Sequence, residues 1–160
     1  MASVPSNSLL NVFRFKVEVT NDVVVNDSSQ GGPQGTPTEM AFAECTGLEA
    51  TMESKAIKEG GRNYGVAQRP GGVTFATVVL KRGISIDRSM WLIFNQTTFG
   101  AFAPRLQVTI TVNNGAMQPA IKWQLLHAMP VKFKFADLNA RGMDVGIEEL
   151  HFVHEGLVAV

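Results

Sequence analysis

The chain has a single cysteine in 160 residues, Cys45, so it can form neither an internal disulfide nor a multi-cysteine zinc site. Charge is scarce too, at 18% Asp, Glu, Lys and Arg where about a quarter is usual. Fourteen basic residues balance fourteen acidic ones, which excludes a global field drawing in nucleic acid or an anionic membrane. No stretch approaches the ~18 consecutive apolar residues of a membrane helix. Met1 to Asn11 lacks a positive segment followed by an apolar one, so neither a membrane span nor a signal peptide is expected. Internal repeats and heptad runs are missing as well.

What is present points to one domain, 1–160, able to bury about two thirds of its unfolded surface. Apolar residues make up 45% and fall in short alternating runs. Phe13, Phe15, Val17 and Val19 alternate with Arg14, Lys16, Glu18 and Thr20, the period-two pattern of a strand with one buried face. The segment from Asp22 to Thr38, rich in Gly, Pro, Ser and Gln, reads as a polar loop insertion. Met40 to Thr46 reads as a short strand in which Cys45 is a small buried hydrophobe. Beyond Gly47, Leu48, Ala50, Met52 and Ala56 alternate with Glu49, Thr51, Glu53 and Lys55 in a two-faced strand, its apolar side suited to a neighbour or to a core.

Glu59, Gly60, Gly61, Arg62 and Asn63 through Pro70, Gly71 and Gly72 read as one long connection, followed by a buried strand from Val73 to Lys81. Ile86 to Thr97 changes period: Asp87 is a good N-cap, and Met90, Trp91, Ile93 and Phe94 recur at helical spacing. Trp91 and Phe94 are expected to anchor that helix on a sheet. Leu106 to Val112 alternates, and Asn113-Asn114-Gly115 reads as a hairpin turn into a return strand through Trp123 and Leu125. Pro130 is expected to end that strand, Val131 to Phe135 to form another, Asp137 to Gly142 to turn, and Val145 to Glu155 to close the domain. About seven or eight strands and one helix imply two packed antiparallel sheets, a sandwich or barrel, with one flanking α-helix.

Residues for chemistry do not converge. His151 and His154, three apart on a strand, point to opposite faces and cannot share an ion. Asp87, Ser89 and His127 have no Gly-x-Ser-x-Gly elbow to organise them as a triad. The glycines from Gly60 to Gly72 lack the phosphate-loop order. The pairs Asp137 with Asp144 and Glu148 with Glu149 read as turn and surface charges. No catalytic, cofactor-binding or metal-binding residue is expected. The reading that remains is a structural subunit that assembles through strand edges, whose unpaired N–H and C=O groups monomers usually blunt. A small-ligand β-barrel carrier is the alternative from another class.

A set of short motifs adds to this. Phe42-Ala43-Glu44-Cys45-Thr46-Gly47-Leu48, then Glu59-Gly60-Gly61-Arg62-Asn63, Arg69-Pro70-Gly71-Gly72 and Leu80-Lys81-Arg82-Gly83 succeed one another, with Trp91 on the helix. Trp123-Gln124-Leu125, Ala128-Met129-Pro130-Val131-Lys132, Leu138-Asn139-Ala140, Ile147-Glu148-Glu149-Leu150 and His154-Glu155-Gly156-Leu157 complete the order. Together they resemble the tail-tube proteins of contractile phages and contractile injection systems, over about Val12 to Leu157. The insertion at 22–38 is longer than that pattern, and Ala56-Ile57-Lys58 departs from it.

The resemblance implies six copies in a ring whose inner sheets join into a barrel, with rings stacked into a hollow tube. It implies a contractile sheath and baseplate or hub proteins as partners, and DNA or protein cargo passing without specific binding. It also implies assembly in a bacterial or archaeal cytoplasm, then residence in a virion or injection particle, with no membrane insertion by this chain. Glu59, Gly60, Gly61, Arg62, Asn63, Pro70 and Gly71 would form the ring-stacking loop. The insertion suggests the variant role of a tube-initiating ring at the baseplate.

Overall fold

The computed structural model describes residues 14–21, 38–99, 105–139, 141 and 145–160. The insertion expected at 22–38 lies, apart from Thr38, outside them, as does most of the turn expected at 137–142 beyond Asn139.

Alternation in the sequence becomes strands. These are β1 (Phe15–Asn21), β2 (Thr38–Met40), β3 (Glu44–Thr46), β4 (Ala50–Ile57), β5 (Ala67–Phe75), β6 (Val78–Gly83), β7 (Leu106–Asn113), β8 (Pro119–Lys134), β9 (Ile147–Val153) and β10 (Gly156–Ala159). The one helix among the described residues, α1 (Ser89–Phe99), packs against β8. Eight strands form a sheet in the order β2-β1-β7-β8-β9-β6-β3, with β10 also on β8, and every pairing is antiparallel.

The sheet folds into two layers because β8, 16 residues long, belongs to both. Its first half runs between β7 and β10, and its second half borders β9. At the crossing, Leu126 and His127 face the single residue Gln107, since Leu106 pairs with Ala128 and Val108 with Leu125. His127 takes the extra turn with φ 50°, the bulge that lets one strand change sheets. Between the layers Val17, Val19, Val108, Ile110 and Leu125 meet Val78, Leu80, Leu150 and Phe152. Met90 is the one helix residue that is fully buried there.

Several boundaries differ from expectation. Pro130 does not end a strand, because β7 stops pairing at Ala128 and a missing N–H on that side of β8 leaves no ladder partner unsatisfied. Met40 to Thr46 is two strands: β2 lies on one edge of the sheet and β3 on the other, with buried Phe42 between them. The sheet's ends are thus joined by chain and not by a ladder, so it is a bent sandwich rather than a closed barrel. Val73 to Lys81 is also interrupted, after Phe75, and Val145 to Glu155 gives way to a break at His154–Glu155 that faces the β8 bulge. The hairpin loop spans 114–118, where Asn114 Oδ1 accepts from the N–H groups of Ala116 and Gln118 at 2.9 Å each. The mainly β class with one flanking helix stands.

Gly47 is the hinge between the sandwich and β4. Its φ is +87°, and an added Cβ would collide with the carbonyl oxygen of Thr77, so only glycine fits.

Candidate functional site

Among the described residues, strands β4 and β5 pair only with each other. All eight residues of β4 are exposed, and among the described residues no layer lies beneath its apolar side chains: Met52 is 57% exposed and Val73 opposite it 51%. A two-stranded hairpin of this kind is at best marginally stable in water without something to pack on. It is tied to the sandwich at its base, where Ala76 N–H donates to Glu49 O at 3.1 Å and the Phe75 ring lies 5.2 Å from that of His154.

The long connection expected over Glu59 to Gly72 is shorter than that. Glu59, Gly60, Gly61, Arg62 and Asn63 lie in the tip between β4 and β5, but Pro70, Gly71 and Gly72 are inside β5. Punctuating residues misled the reading, because Gly71 and Gly72 both face Glu53 and form a bulge. A Cβ on Gly71 would come within 2.6 Å of Glu53 O, which is why that close approach takes glycine. At the tip, Arg62 Nη1 donates to Glu59 Oε2 at 3.2 Å; both side chains are about half exposed, so the pair adds little stability. Tyr64 is 94% exposed, and nothing lies within 4 Å of where a Cβ on Gly60 would stand.

On the sandwich, Trp91 and Phe94 form a triangle of rings with Phe133 of β8, at centroid distances of 5.5 to 6.4 Å. Trp91 remains 42% exposed on the wall of a surface groove of about 370 Å³ that also includes Ile84, Ile86 and Phe135. Helix α1 starts later than expected, at Ser89, and Asp87 Oδ1 accepts from the Ser89 N–H at 3.0 Å. The Ser89 hydroxyl bond, then its N–H and Arg82, hold the Asp87 carboxyl below the usual carboxylate range.

Sequence reasoning missed the group beneath that helix start. Arg82 and Glu148 are register partners on β6 and β9, both buried at core-facing positions, with Arg82 Nε donating to Glu148 Oε2 at 3.2 Å. Arg82 Nη2 also donates to Asp87 O at 2.8 Å, so one guanidinium ties two strands to the helix. The available signal was a charge at an inward position of each alternating run. Asp87 and Ser89 therefore serve a cap and Arg82, while His127 serves the β8 bulge. His151 Nε2 lies 3.3 Å from Glu149 Oε2, whereas His154 Nδ1 meets Gly156 O at 2.9 Å. Cys45 is half-buried against the core, and burial pushes its thiol up to about 11.

The family described as T4-like virus tail tube protein gp19 matches residues 11–158. No curated protein matches in sequence. A chain in the cryo-EM structure of the anti-feeding prophage baseplate is 25% identical, with a TM-score of 0.78 over 99% of this chain and 97% of that one. A chain of the sheath-tube complex of PVC, an extracellular contractile injection system, is similar at TM-score 0.75 and 15% identity, covering 97% and 93%. The crystal structure of an Hcp protein shares the fold at TM-score 0.54 and 14% identity, covering 91% of each chain.

Proposed function

The chain belongs to the T4-like virus tail tube protein family, and on that footing we propose that it builds the inner tube of a contractile phage tail or injection system as stacked hexameric rings. The observation that carries stacking is the β4–β5 hairpin, apolar on one side yet exposed on both, which gains its packing from a neighbouring copy. Its tip, Glu59 to Asn63, is the contact toward the next ring, where glycines admit close backbone approach and Glu59 and Arg62 set register by charge. Pro70 and Gly71 act from within β5 by bending it.

The role is mechanical. The tube transmits the stroke of a surrounding sheath, rests on baseplate or hub proteins, and conducts DNA or protein cargo without gripping it. It forms in the cytoplasm before the particle is complete. A second reading, a tube-initiating ring, is favoured by the baseplate origin of the solved chain at 25% identity. Electron microscopy of the purified protein separates the two: long tubes are expected of a tube-body subunit, and rings that never elongate of an initiator. A monomer at every concentration by light scattering overturns both.

A further inference from the structure

The described methionines differ in what surrounds their sulfur. Met40 and Met90 lie in the core, and the Ser89 hydroxyl donates to Met40 Sδ at 3.3 Å. Met129 is half-buried, its sulfur 3.7 Å from Arg105 Nη1. Met52 and Met117 stand in the open, 57% and 68% exposed. Met117 belongs to the 114–118 loop, whereas Met52 sits in the middle of β4, opposite Val73 of β5.

Alternation along β4 puts Ala50 and Met52 on one face with their partners Phe75 and Val73, and Thr51, Glu53 and Lys55 on the other. At the foot of the apolar face the Phe75 ring is met by His154 of the sandwich. The next pair outward, Met52 with Val73, is over half exposed in both members. Met52 is thus the largest exposed apolar side chain of the face that needs a partner, and it carries a thioether that oxidants can reach.

We infer that Met52 is an oxidation site that gates assembly: peroxide converts its thioether to the sulfoxide while the subunit is free, and the sulfoxide keeps the hairpin from packing on another copy. This rests on the tube reading and gives its hairpin contact a chemical control. The sulfur donates an electron pair to one peroxide oxygen, and the S–O bond forms as the O–O bond breaks. Sulfur is oxidised and peroxide reduced; the proton on the transferred oxygen passes to the departing hydroxide, which leaves as water. A flexible apolar side chain suited to an interface becomes polar and chiral. Val73, its cross-strand neighbour, offers the new oxygen no donor, so covering it forfeits its hydrogen bonds to water. Packing of the hairpin covers the same sulfur, so the site is reactive before assembly and shielded after it. Reduction of the sulfoxide restores the thioether, which makes the block reversible.

The test treats the full-length subunit with hydrogen peroxide before assembly, follows assembly by electron microscopy and locates each sulfoxide by peptide mass spectrometry. Oxidation should raise the concentration needed for assembly about tenfold or more, and methionine sulfoxide reductase should reverse the effect. Sulfoxide at Met52 should collect in the unassembled fraction, and preformed assemblies should gain less of it than free subunits do. Met52→Leu keeps the apolar bulk without an oxidisable sulfur, so it should assemble and resist peroxide, while Met117→Leu should stay as sensitive as the parent. The partition of the Met52 sulfoxide is read on the parent sequence and decides the matter even where Met52→Leu fails to assemble. Peroxide-sensitive assembly of Met52→Leu, or equal Met52 sulfoxide in assembled and free fractions, overturns the gate and leaves the tube reading standing. An untreated parent that never assembles overturns both.

Discussion

The bent sandwich and the β4–β5 hairpin are built from the same alternating pattern and meet opposite fates. In the sandwich, β6 places Val78 and Leu80 at full burial against the facing layer, whereas in the hairpin β4 buries no side chain. The difference lies in what each strand has opposite its apolar face. Among the described residues a layer lies over β6 and none lies over β4, so the first has its packing within the domain and the second does not.

Three substitutions would break or sharpen that contrast. The largest effect is expected of Gly47→Val at the junction, where a left-handed φ and the Thr77 carbonyl leave no room for a side chain. A loss above about 4 kcal/mol is expected, seen as failure to recover soluble folded protein; a normal unfolding transition would show the junction to be pliable. Next, Glu148→Ala strands the buried Arg82 guanidinium. Removing one member of such a pair costs about 3 to 5 kcal/mol, here near the lower figure because Asp87 still accepts from Arg82. A lowered urea midpoint measures it, and an unchanged midpoint would mean the pair adds nothing to the sandwich. The smallest effect on stability is expected of Gly60→Leu at the tip, within about 0.5 kcal/mol, since the site is open. The same variant should stop ring stacking in electron micrographs. Unimpaired tubes would remove the tip from the stacking contact, and a large stability loss would mean the hairpin belongs to the sandwich after all.

Much of the architecture was legible because alternation is local. Val17 and Val19 in β1, and Val108 and Ile110 in β7, declare a buried face by spacing alone. So does the helix through Met90, which begins at Ser89, one residue later than an N-cap at Asp87 implies. Less legible were positions where a residue's meaning depends on a strand distant in sequence. Pro130 reads as a terminator until the end of β7 explains why its missing N–H does no harm. Pro70, Gly71 and Gly72 read as a loop until Glu53 is seen to sit against a bulge. Arg82 and Glu148, 66 residues apart, look like surface charges until their register pairing buries them together.

The sequence by itself determined that this is a β-rich domain with one helix and an ordered series of tail-tube motifs, because period and motif order are properties of neighbouring residues. Only the tertiary structure decided which strands share a core, where β8 crosses from one layer to the other, and which edges stay open. Those depend on pairing between segments far apart in the chain, and a strand's own residues do not record what will lie against its two faces and two edges.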